Sequence, residues 1–401
     1  PPRSPAPDAR PTTTSRSRHI GPAHRVGREK VGAMSELFDA PSLARLRPAL
    51  AGVPAYVAGR PAKPIPGLIT YKVSSNENPY PPLPSVAAAI AEASGHVNRY
   101  PDMMNVALKA AIGESCGFAP ASVTVGPGST GVLAQLIGAL CDSGDEVVFA
   151  WRSFEAYPIL VRLAGATPVM VALNDAGEHD LDAMAAAVTD RTKLVILCTP
   201  NNPTGPIITD AAARAFLAKV PAEVVVIIDE AYVEFVRDSD AVASFALQRD
   251  YPNVVVTRTF SKAYGLAGLR VGYGLAHPTL AEASNKTSIP FSVNLVAQAA
   301  AIASLAARDE IDARVDAIVA ERQRVVAGLA EQGWRLPATS ANFVYFPLGP
   351  DESERFDVTC GDAGLVVRRY GGEGVRVTIG EEAANSRLLE IAERLRSALR
   401  T

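Results

Sequence analysis

Hydrophobic and polar positions alternate in blocks between residue 121 and about residue 275. Short, nearly continuous apolar runs are separated by helical patterns such as Val132–Cys141 and Ala211–Lys219. A strand that is covered on both faces has no polar side, so these runs predict a mainly parallel sheet flanked by helices, which is an α/β fold. The predicted strands are Ser122–Val125, Glu146–Ala150, Pro168–Leu173, Lys193–Thr199, Glu223–Ile228, Asn253–Arg258 and Val271–Leu275.

The pattern changes after about residue 290. One long helical stretch, Val293–Gln332, precedes a strand at Asn342–Phe346, a short strand pair around Gly364–Arg369 and Gly374–Ile379, and a final helix. This order predicts a smaller α+β domain. We therefore expect an N-terminal arm over residues 34–70, a large domain over 71–290 and a small domain over 291–401.

The first 33 residues differ in composition from the rest. They contain six prolines and seven Lys or Arg but only two acidic residues. Such a segment buries too little apolar surface to fold alone, so we expect a disordered extension. Its Arg- and Ser-rich composition is typical of a transit peptide, but it lacks the apolar face of one. Because an ordinary sequence begins at Met34, we expect Met34 to be the natural start.

Composition and charge exclude several classes of function. The chain is 48% hydrophobic and 20% charged with a net charge of −3, which offers no basic surface for nucleic acid or an anionic membrane. No apolar run is long enough to cross a bilayer. The four cysteines and five histidines are scattered, which predicts free thiols, no metal site and a cytoplasmic protein.

A glycine-rich turn follows the first predicted strand. Gly126–Gly131 opens a helix and matches the G-x-G-x-x-G pattern. Backbone amides at a helix N-terminus favour a phosphate. A dinucleotide site also needs an acid at the end of the next strand, which instead ends Phe149-Ala150-Trp151-Arg152. This motif alone leaves open a phosphate site, an NAD site and a plain turn.

Two more polar segments follow apolar strands. Asn201–Gly205 comes after the strand that ends at Thr199, and Asp229 comes at the end of the most apolar strand. Ligands bind at the carboxyl ends of parallel strands, and a carboxylate there is costly unless it is paired, for instance with a protonated ring nitrogen. The alternatives are a plain loop and an Asp that caps the next helix.

The segment Arg258–Arg270 predicts a reactive lysine. Lys262 follows an apolar strand and has hydroxyls and cations close to it in sequence. A lysine that forms an imine must be neutral, and both desolvation and nearby cations lower its pKa. Thr259, Ser261 and Arg270 are suitable donors to a phosphate dianion. Arg376, within a buried-looking strand, predicts a bound carboxylate or a structural salt bridge.

In order and spacing, these motifs together resemble the fold-type I pyridoxal-phosphate-dependent aminotransferases, in the histidinol-phosphate and aromatic amino acid branch. The resemblance runs from about Leu46 to the C-terminus. It implies a seven-stranded large domain, a small α+β domain and a homodimer. The segments that carry it are Ser74–Pro79, Asn98–Asp102, Asn201–Gly205, Asp229–Tyr232 and Thr259–Arg270.

The resemblance also implies a role for each matching residue. Lys262 would carry pyridoxal phosphate as a Schiff base and move the substrate proton, and Asp229 would hold the ring nitrogen protonated. Asn202 and Tyr232 would contact the ring 3′-oxygen, and Phe154 would stack on the ring. The phosphate would be held by Ser129, Thr130, Thr259, Ser261 and Arg270, and by Tyr100 of the neighbouring subunit. Substrate would be bound by Arg376 through its carboxylate, with Asn76 and Asn342 nearby.

The substrate class remains open, because the residues expected at the distal end of the substrate resemble two branches of the family. Tyr56 and Arg368 match positions that contact this end in the histidinol-phosphate branch. The segments Val53–Arg60 and Ala150–Pro158 resemble the aromatic branch instead, and Tyr56, Trp151 and Tyr157 could form an apolar pocket for a phenyl ring. We expect transamination of phenylalanine or tyrosine with 2-oxoglutarate, with histidinol phosphate as the alternative substrate. An NAD-dependent oxidoreductase, a non-catalytic member of the fold, and a decarboxylase or racemase with the same cofactor are further alternatives.

Overall fold

A seven-stranded sheet is the largest sheet in the computed structural model, which describes Arg47, Leu50, residues 52–56, Gly59, Pro61 and residues 63–400. The strands are ordered β2-β8-β7-β6-β5-β3-β4, and β8 alone among them runs antiparallel to its neighbours. The prediction of a mainly parallel α/β sheet is confirmed, with each predicted strand end within two residues. The strands are β2 (Val123–Gly126), β3 (Glu146–Trp151), β4 (Thr167–Ala172), β5 (Thr192–Cys198), β6 (Val225–Asp229), β7 (Val254–Thr259) and β8 (Gly272–Leu275).

Both faces of this sheet are covered, which explains the continuous apolar runs. In β5, Leu194 and Ile196 belong to one hydrophobic cluster, while Val195 and Leu197 belong to another on the opposite face. All four are at most 1% exposed. Because neighbouring residues of a strand point to opposite faces, each of them needs an apolar side chain when both faces are buried.

Twelve helices pack on and beside the sheets of the described chain. The long helix expected over Val293–Gln332 was a wrong prediction, since the chain breaks at Ala307 into two helices. Nothing in the sequence marked the break, because no Gly or Pro lies there and the apolar pattern continues on both sides of it. The helices are α1 (Pro84–Ser94), α2 (Val106–Cys116), α3 (Ser129–Leu140), α4 (Ala156–Ala164), α5 (Leu181–Ala186), α6 (Asp210–Leu217), α7 (Ser244–Asp250), α8 (Pro278–Lys286), α9 (Leu295–Ala306), α10 (Arg308–Glu331), α11 (Pro350–Asp362) and α12 (Glu382–Arg400).

Two small sheets contain the remaining strands. One is antiparallel and ordered β11-β12-β9, and it places Arg368 directly opposite Arg376. The other pairs β1 with β10 in parallel. The carbonyl of Val73, just after β1, accepts a bond from the amide of Thr378 at the end of β12 (2.9 Å), so the segment after β1 lies against the three-stranded sheet. The strands are β1 (Tyr71–Lys72), β9 (Phe343–Phe346), β10 (Leu365–Val366), β11 (Arg368–Arg369) and β12 (Val375–Thr378).

All of these elements belong to the unit Pro48–Thr401. The predicted extension over residues 1–33 and most of the predicted arm over residues 34–70 lie outside the described residues, and the boundary near residue 290 stays a prediction. Among the described helices, none combines the length and the apolarity that crossing a membrane requires.

Candidate functional site

A cavity of about 670 Å³ collects most of the side chains singled out in the sequence. The parallel strands β5, β6 and β7 all lead toward it, which is the usual ligand position in a parallel sheet. The predicted residues that line it are Tyr56, Asn76, Ser129, Thr130, Phe154, Asn202, Asp229, Tyr232, Thr259, Ser261, Lys262, Arg270, Arg368 and Arg376.

Lys262 presents a partly buried amine to this cavity. Its Nζ donates a hydrogen bond to the backbone carbonyl of Ser75 at 2.9 Å. Burial, followed by the positive charge of Arg376, lowers the pKa of Lys262 from 10.5 to about 7, and Arg270 adds to the effect. A large fraction of this amine is therefore neutral at neutral pH, as a nucleophile or base requires.

Asp229 ends β6 with its carboxylate in the cavity wall. The carboxylate accepts hydrogen bonds from Tyr157 Oη at 2.7 Å and from Thr257 Oγ1 at 2.9 Å. Burial raises the pKa of Asp229, and these two donors oppose that rise by stabilising the charged form. The carboxylate is held rigidly and faces the same cavity as Lys262.

The prediction that Tyr157 and Trp151 line a phenyl pocket was wrong. Tyr157 is fully buried beneath the cavity, with its ring against Phe149 at 5.6 Å and its hydroxyl on Asp229. Its position near the start of α4 turns it toward the sheet. Trp151 also lies outside the cavity lining, and its ring contacts the Arg152 guanidinium at 4.5 Å.

Hydroxyls, amides and one guanidinium converge at the start of α3. Ser129 is the first residue of this helix, so its N–H group has no partner within the helix. Arg270 Nη1 donates to Ser261 Oγ at 3.2 Å and to the Ala267 carbonyl at 3.0 Å. Gly128 permits this approach, because a Cβ there would lie 2.5 Å from Arg270 Nη2. Such a cluster suits a phosphate.

Arg376 is buried in β12 without a carboxylate partner among the described residues. Its Nη1 donates to Asn202 Oδ1, and its Nη2 donates to the Ser74 carbonyl at 2.7 Å. Its Nε has no hydrogen-bond partner in the described part of the chain. Because a buried cation is costly without a counter-charge, this position suits an anionic ligand.

Asn76 connects the two sides of the cavity. Its Nδ2 donates to Tyr232 Oη at 3.0 Å, and its Oδ1 accepts from Thr378 Oγ1 at 3.0 Å. Asn342 lies behind it rather than in the lining, and donates from Nδ2 to the Asn76 carbonyl at 3.2 Å. Asn342 Oδ1 has no partner among the described residues.

Arg368 lies beside a carboxylate and a ring that the sequence did not single out. Its Nη2 is 2.5 Å from Glu155 Oε2, and its guanidinium is 5.5 Å from the centre of the Tyr370 ring. Tyr370 could have been found, since it lies two residues after Arg368 and so shares its face of the hairpin. Glu155 carries no such signal, because 213 residues separate it from Arg368.

Tyr100 does not line the cavity of its own chain. Its side chain is 82% exposed, and its ring stacks on Phe291 at 4.6 Å. The role expected for it, at a neighbouring subunit's phosphate, stays a prediction. In the described part of the chain, no group of three or more His, Cys, Asp or Glu side chains could hold a metal ion.

Comparison with known proteins places the chain in a family. A model of the class I and II aminotransferases matches residues 69–391. The aromatic amino acid aminotransferase of Streptomyces avermitilis is 52% identical over 355 residues, which cover 88% of this chain and 98% of that protein. The aromatic amino acid aminotransferase of Mycobacterium tuberculosis is 52% identical over 356 residues, 88% of this chain and 99% of that protein.

Solved structures agree with the fold. The histidinol-phosphate aminotransferase of Sinorhizobium meliloti, in complex with pyridoxal 5′-phosphate, has a TM-score of 0.81 and 29% identity. The match covers 90% of this chain and 99% of that one. The predicted fold-type I architecture is confirmed. The prediction of an aminotransferase is also confirmed, and the alternative of an NAD-dependent oxidoreductase is rejected. The chain belongs to the class I and II aminotransferase family.

Proposed function

We propose that this aminotransferase uses pyridoxal phosphate to move the amino group of an aromatic amino acid to 2-oxoglutarate. One observation carries the proposal: Lys262, a partly buried lysine with a pKa of about 7, lines the same cavity as the buried carboxylate of Asp229 and the buried Arg376. The names of the relatives from Streptomyces avermitilis and Mycobacterium tuberculosis support the aromatic substrate class.

The cavity fits pyridoxal phosphate, the cofactor in the Sinorhizobium meliloti structure. Its partly neutral amine, its rigidly held carboxylate and its phosphate-binding cluster match the aldehyde, ring nitrogen and phosphate of that molecule. We propose that Lys262 would hold the cofactor through its aldehyde carbon, with the aldehyde oxygen leaving as water. Asp229 would contact the ring nitrogen, and Phe154 would stack on the ring. Asn202 and Tyr232 would contact the 3′-oxygen, and the phosphate would be held by Ser129, Thr130, Thr259, Ser261 and Arg270.

When bound, the cofactor supplies an electron sink for the negative charge that develops at the substrate Cα. Once released from the cofactor by the substrate amine, Nζ of Lys262 would accept the Cα proton in its neutral form, which a pKa of about 7 makes available at neutral pH. Its bond to the Ser75 carbonyl orients it. The guanidinium of Arg376 holds the α-carboxylate, with Asn76 beside it and Asn342 supporting Asn76 from behind. The bonds from Tyr157 and Thr257 favour the charged form of Asp229, which would hold the ring nitrogen protonated.

Aromatic side chains suit the apolar part of the lining. Phe154, Ile159, Leu160 and Tyr370 contribute apolar surface there. Histidinol phosphate is the second candidate, because Arg368 lines the cavity and the Sinorhizobium meliloti protein carries that name. It is less well supported, since that similarity is 29% identity against 52% for the aromatic enzymes.

We also propose a homodimer in which Tyr100 completes the neighbouring subunit's phosphate site. Tyr100 belongs to an exposed apolar surface. A patch of this kind usually marks an interaction site, which supports a contact between two copies of the chain. This surface includes Tyr100, Met103, Met104, Ile289 and Phe291.

Product analysis tests the proposed reaction. The protein loaded with pyridoxal phosphate should convert phenylalanine and 2-oxoglutarate into phenylpyruvate and glutamate in equal amounts. Decarboxylation would release an amine and carbon dioxide, and racemisation would yield the D-amino acid without an oxo acid. Either product in place of phenylpyruvate contradicts the proposed reaction. The Lys262→Ala variant controls for reaction with free cofactor in solution.

A further inference from the structure

Three side chains of one β-hairpin line the cavity together. Arg368 and Arg376 are directly opposite each other in β11 and β12, and Tyr370 follows Arg368 by two residues. The centre of the Tyr370 ring is 5.5 Å from the Arg368 guanidinium carbon and 5.8 Å from that of Arg376. The hairpin therefore presents two cationic positions that contact the same aromatic ring.

The two arginines differ in how their charges are compensated. Arg368 forms an ion pair with Glu155 at 2.5 Å, and the two side chains are 9% and 25% exposed. Arg376 donates to the neutral acceptors Asn202 and Ser74, with no carboxylate partner among the described residues. The net charge of the Arg368–Glu155 pair is close to zero, whereas the charge of Arg376 remains uncompensated by any described carboxylate. A substrate carboxylate therefore fits at Arg376, whereas a second anionic group at Arg368 would meet the Glu155 carboxylate.

We infer that Glu155 is a specificity-determining residue: its carboxylate neutralises Arg368 and so selects an uncharged aromatic side chain over one that ends in a phosphate. The inference rests on the proposed function and deepens it. Such selectivity would come from weaker binding of the phosphate-bearing substrate, because the Glu155 carboxylate repels a phosphate dianion but does not affect an uncharged aromatic ring. The Tyr370 ring, which lines the same cavity, offers that aromatic side chain an apolar contact.

The test removes only the charge of Glu155. In Glu155→Gln, the amide oxygen can still accept from Arg368. Glu155 immediately precedes α4 without capping it through its side chain, so the helix loses no capping hydrogen bond. The first half-reaction is followed by the absorbance of the bound cofactor with phenylalanine alone or histidinol phosphate alone, so the oxo acid has no influence. We expect the ratio of second-order rate constants to shift toward histidinol phosphate by about tenfold or more.

A matched control is Glu354→Gln. Glu354 pairs with Arg369, the residue next to Arg368, at 3.3 Å, and it does not line the cavity. This variant should leave the ratio unchanged. If Glu155→Gln yields no folded protein, Glu155→Ala carries the same expectation. An unchanged ratio in the Glu155 variant, while the native protein prefers phenylalanine, overturns the inference alone. A native protein without activity on phenylalanine or tyrosine overturns the proposed function as well.

Discussion

Burial changes the chemistry of Lys262. An ordinary lysine is protonated at neutral pH, but desolvation and the charge of Arg376 bring the pKa of this one to about 7. The sequence indicated the direction of this shift from the apolar strand before it and the cations around it. The partner that orients the amine, the Ser75 carbonyl, lies 187 residues away, and no sequence pattern linked it to Lys262.

Covalent uptake of pyridoxal phosphate by the cofactor-free protein should depend on pH through Lys262. Only the neutral amine attacks an aldehyde, so the rate should rise as pH increases through about 7 and level off above it. Absorbance of the bound cofactor gives the rate, and reduction with borohydride followed by mass spectrometry identifies the modified residue. Lys262→Ala should show no uptake. A rate that rises only near pH 10.5, the ordinary lysine value, would contradict the account.

Arg376 should govern the binding of both substrates. Replacing it with methionine keeps apolar volume but removes the charge that we assign to the substrate carboxylate. We expect the KM for both the amino acid and the oxo acid to rise by about thirtyfold or more. The control is Arg369→Met. Arg369 lies in β11 opposite Val375, the residue before Arg376, and does not line the cavity. If neither KM changes in Arg376→Met, the role of Arg376 is structural.

At the scale of elements, the contact of β8 with the start of α3 shapes the phosphate-binding cluster. Gly272 in β8 lies so close to α3 that a Cβ would be 2.3 Å from the Ser129 nitrogen and 2.6 Å from the Gly128 carbonyl carbon. These are backbone atoms, so they can move aside only if the turn shifts. The close approach of strand and helix is therefore a condition for the position of the Ser129 amide.

Gly272→Ala should disturb this contact. We expect a loss of about 1–3 kcal/mol in the free energy of unfolding, together with weaker binding of pyridoxal phosphate. Urea denaturation of the cofactor-free protein and a cofactor titration measure the two effects. Gly138→Ala is the matched control, because Gly138 lies within α3 and a Cβ added there would meet no atom within 4 Å. That change should be neutral or stabilising by up to about 1 kcal/mol. Equal stability of the two variants would count against the role of the contact.

Elements were predictable where burial is uniform. Strands such as β5 and β6 are covered on both faces, so their apolar runs marked them to within two residues. The break at Ala307 between α9 and α10 was not predictable, because alanine is a good helix former and the apolar pattern continues on both sides. The position of Tyr157 was equally unpredictable. An aromatic side chain at this place in the sequence could either line a pocket or, as the structure shows, lie buried beneath Asp229.

At the scale of the whole molecule, the cavity is assembled from residues far apart in the chain. Motifs that follow successive parallel strands were predictable, because the topology brings the ends of those strands to one edge of the sheet. Pairs such as Glu155 with Arg368 depend on how the hairpin of β11 and β12 lies against α4. That placement follows from tertiary packing, and a single sequence carries no local pattern for it.

The proposed homodimer predicts sites that two chains share. The native protein should sediment as a dimer, and Tyr100→Phe should raise the dissociation constant of pyridoxal phosphate by about tenfold or more, as expected for the loss of a hydrogen bond to a charged group. Co-production of Tyr100→Phe with Lys262→Ala should restore activity at low cofactor concentration, because one site of each mixed dimer then has both native residues. A monomer, or mixed dimers no more active than either variant, would contradict the shared site.

The central claim is that the cavity serves an aromatic amino acid. The most direct test compares kcat/KM for phenylalanine, tyrosine and histidinol phosphate, each offered with 2-oxoglutarate to the purified protein loaded with pyridoxal phosphate. The account predicts a clear preference for phenylalanine or tyrosine, with histidinol phosphate disfavoured by the Glu155 carboxylate beside Arg368. A strong preference for histidinol phosphate would contradict the account and would make Arg368 a phosphate ligand.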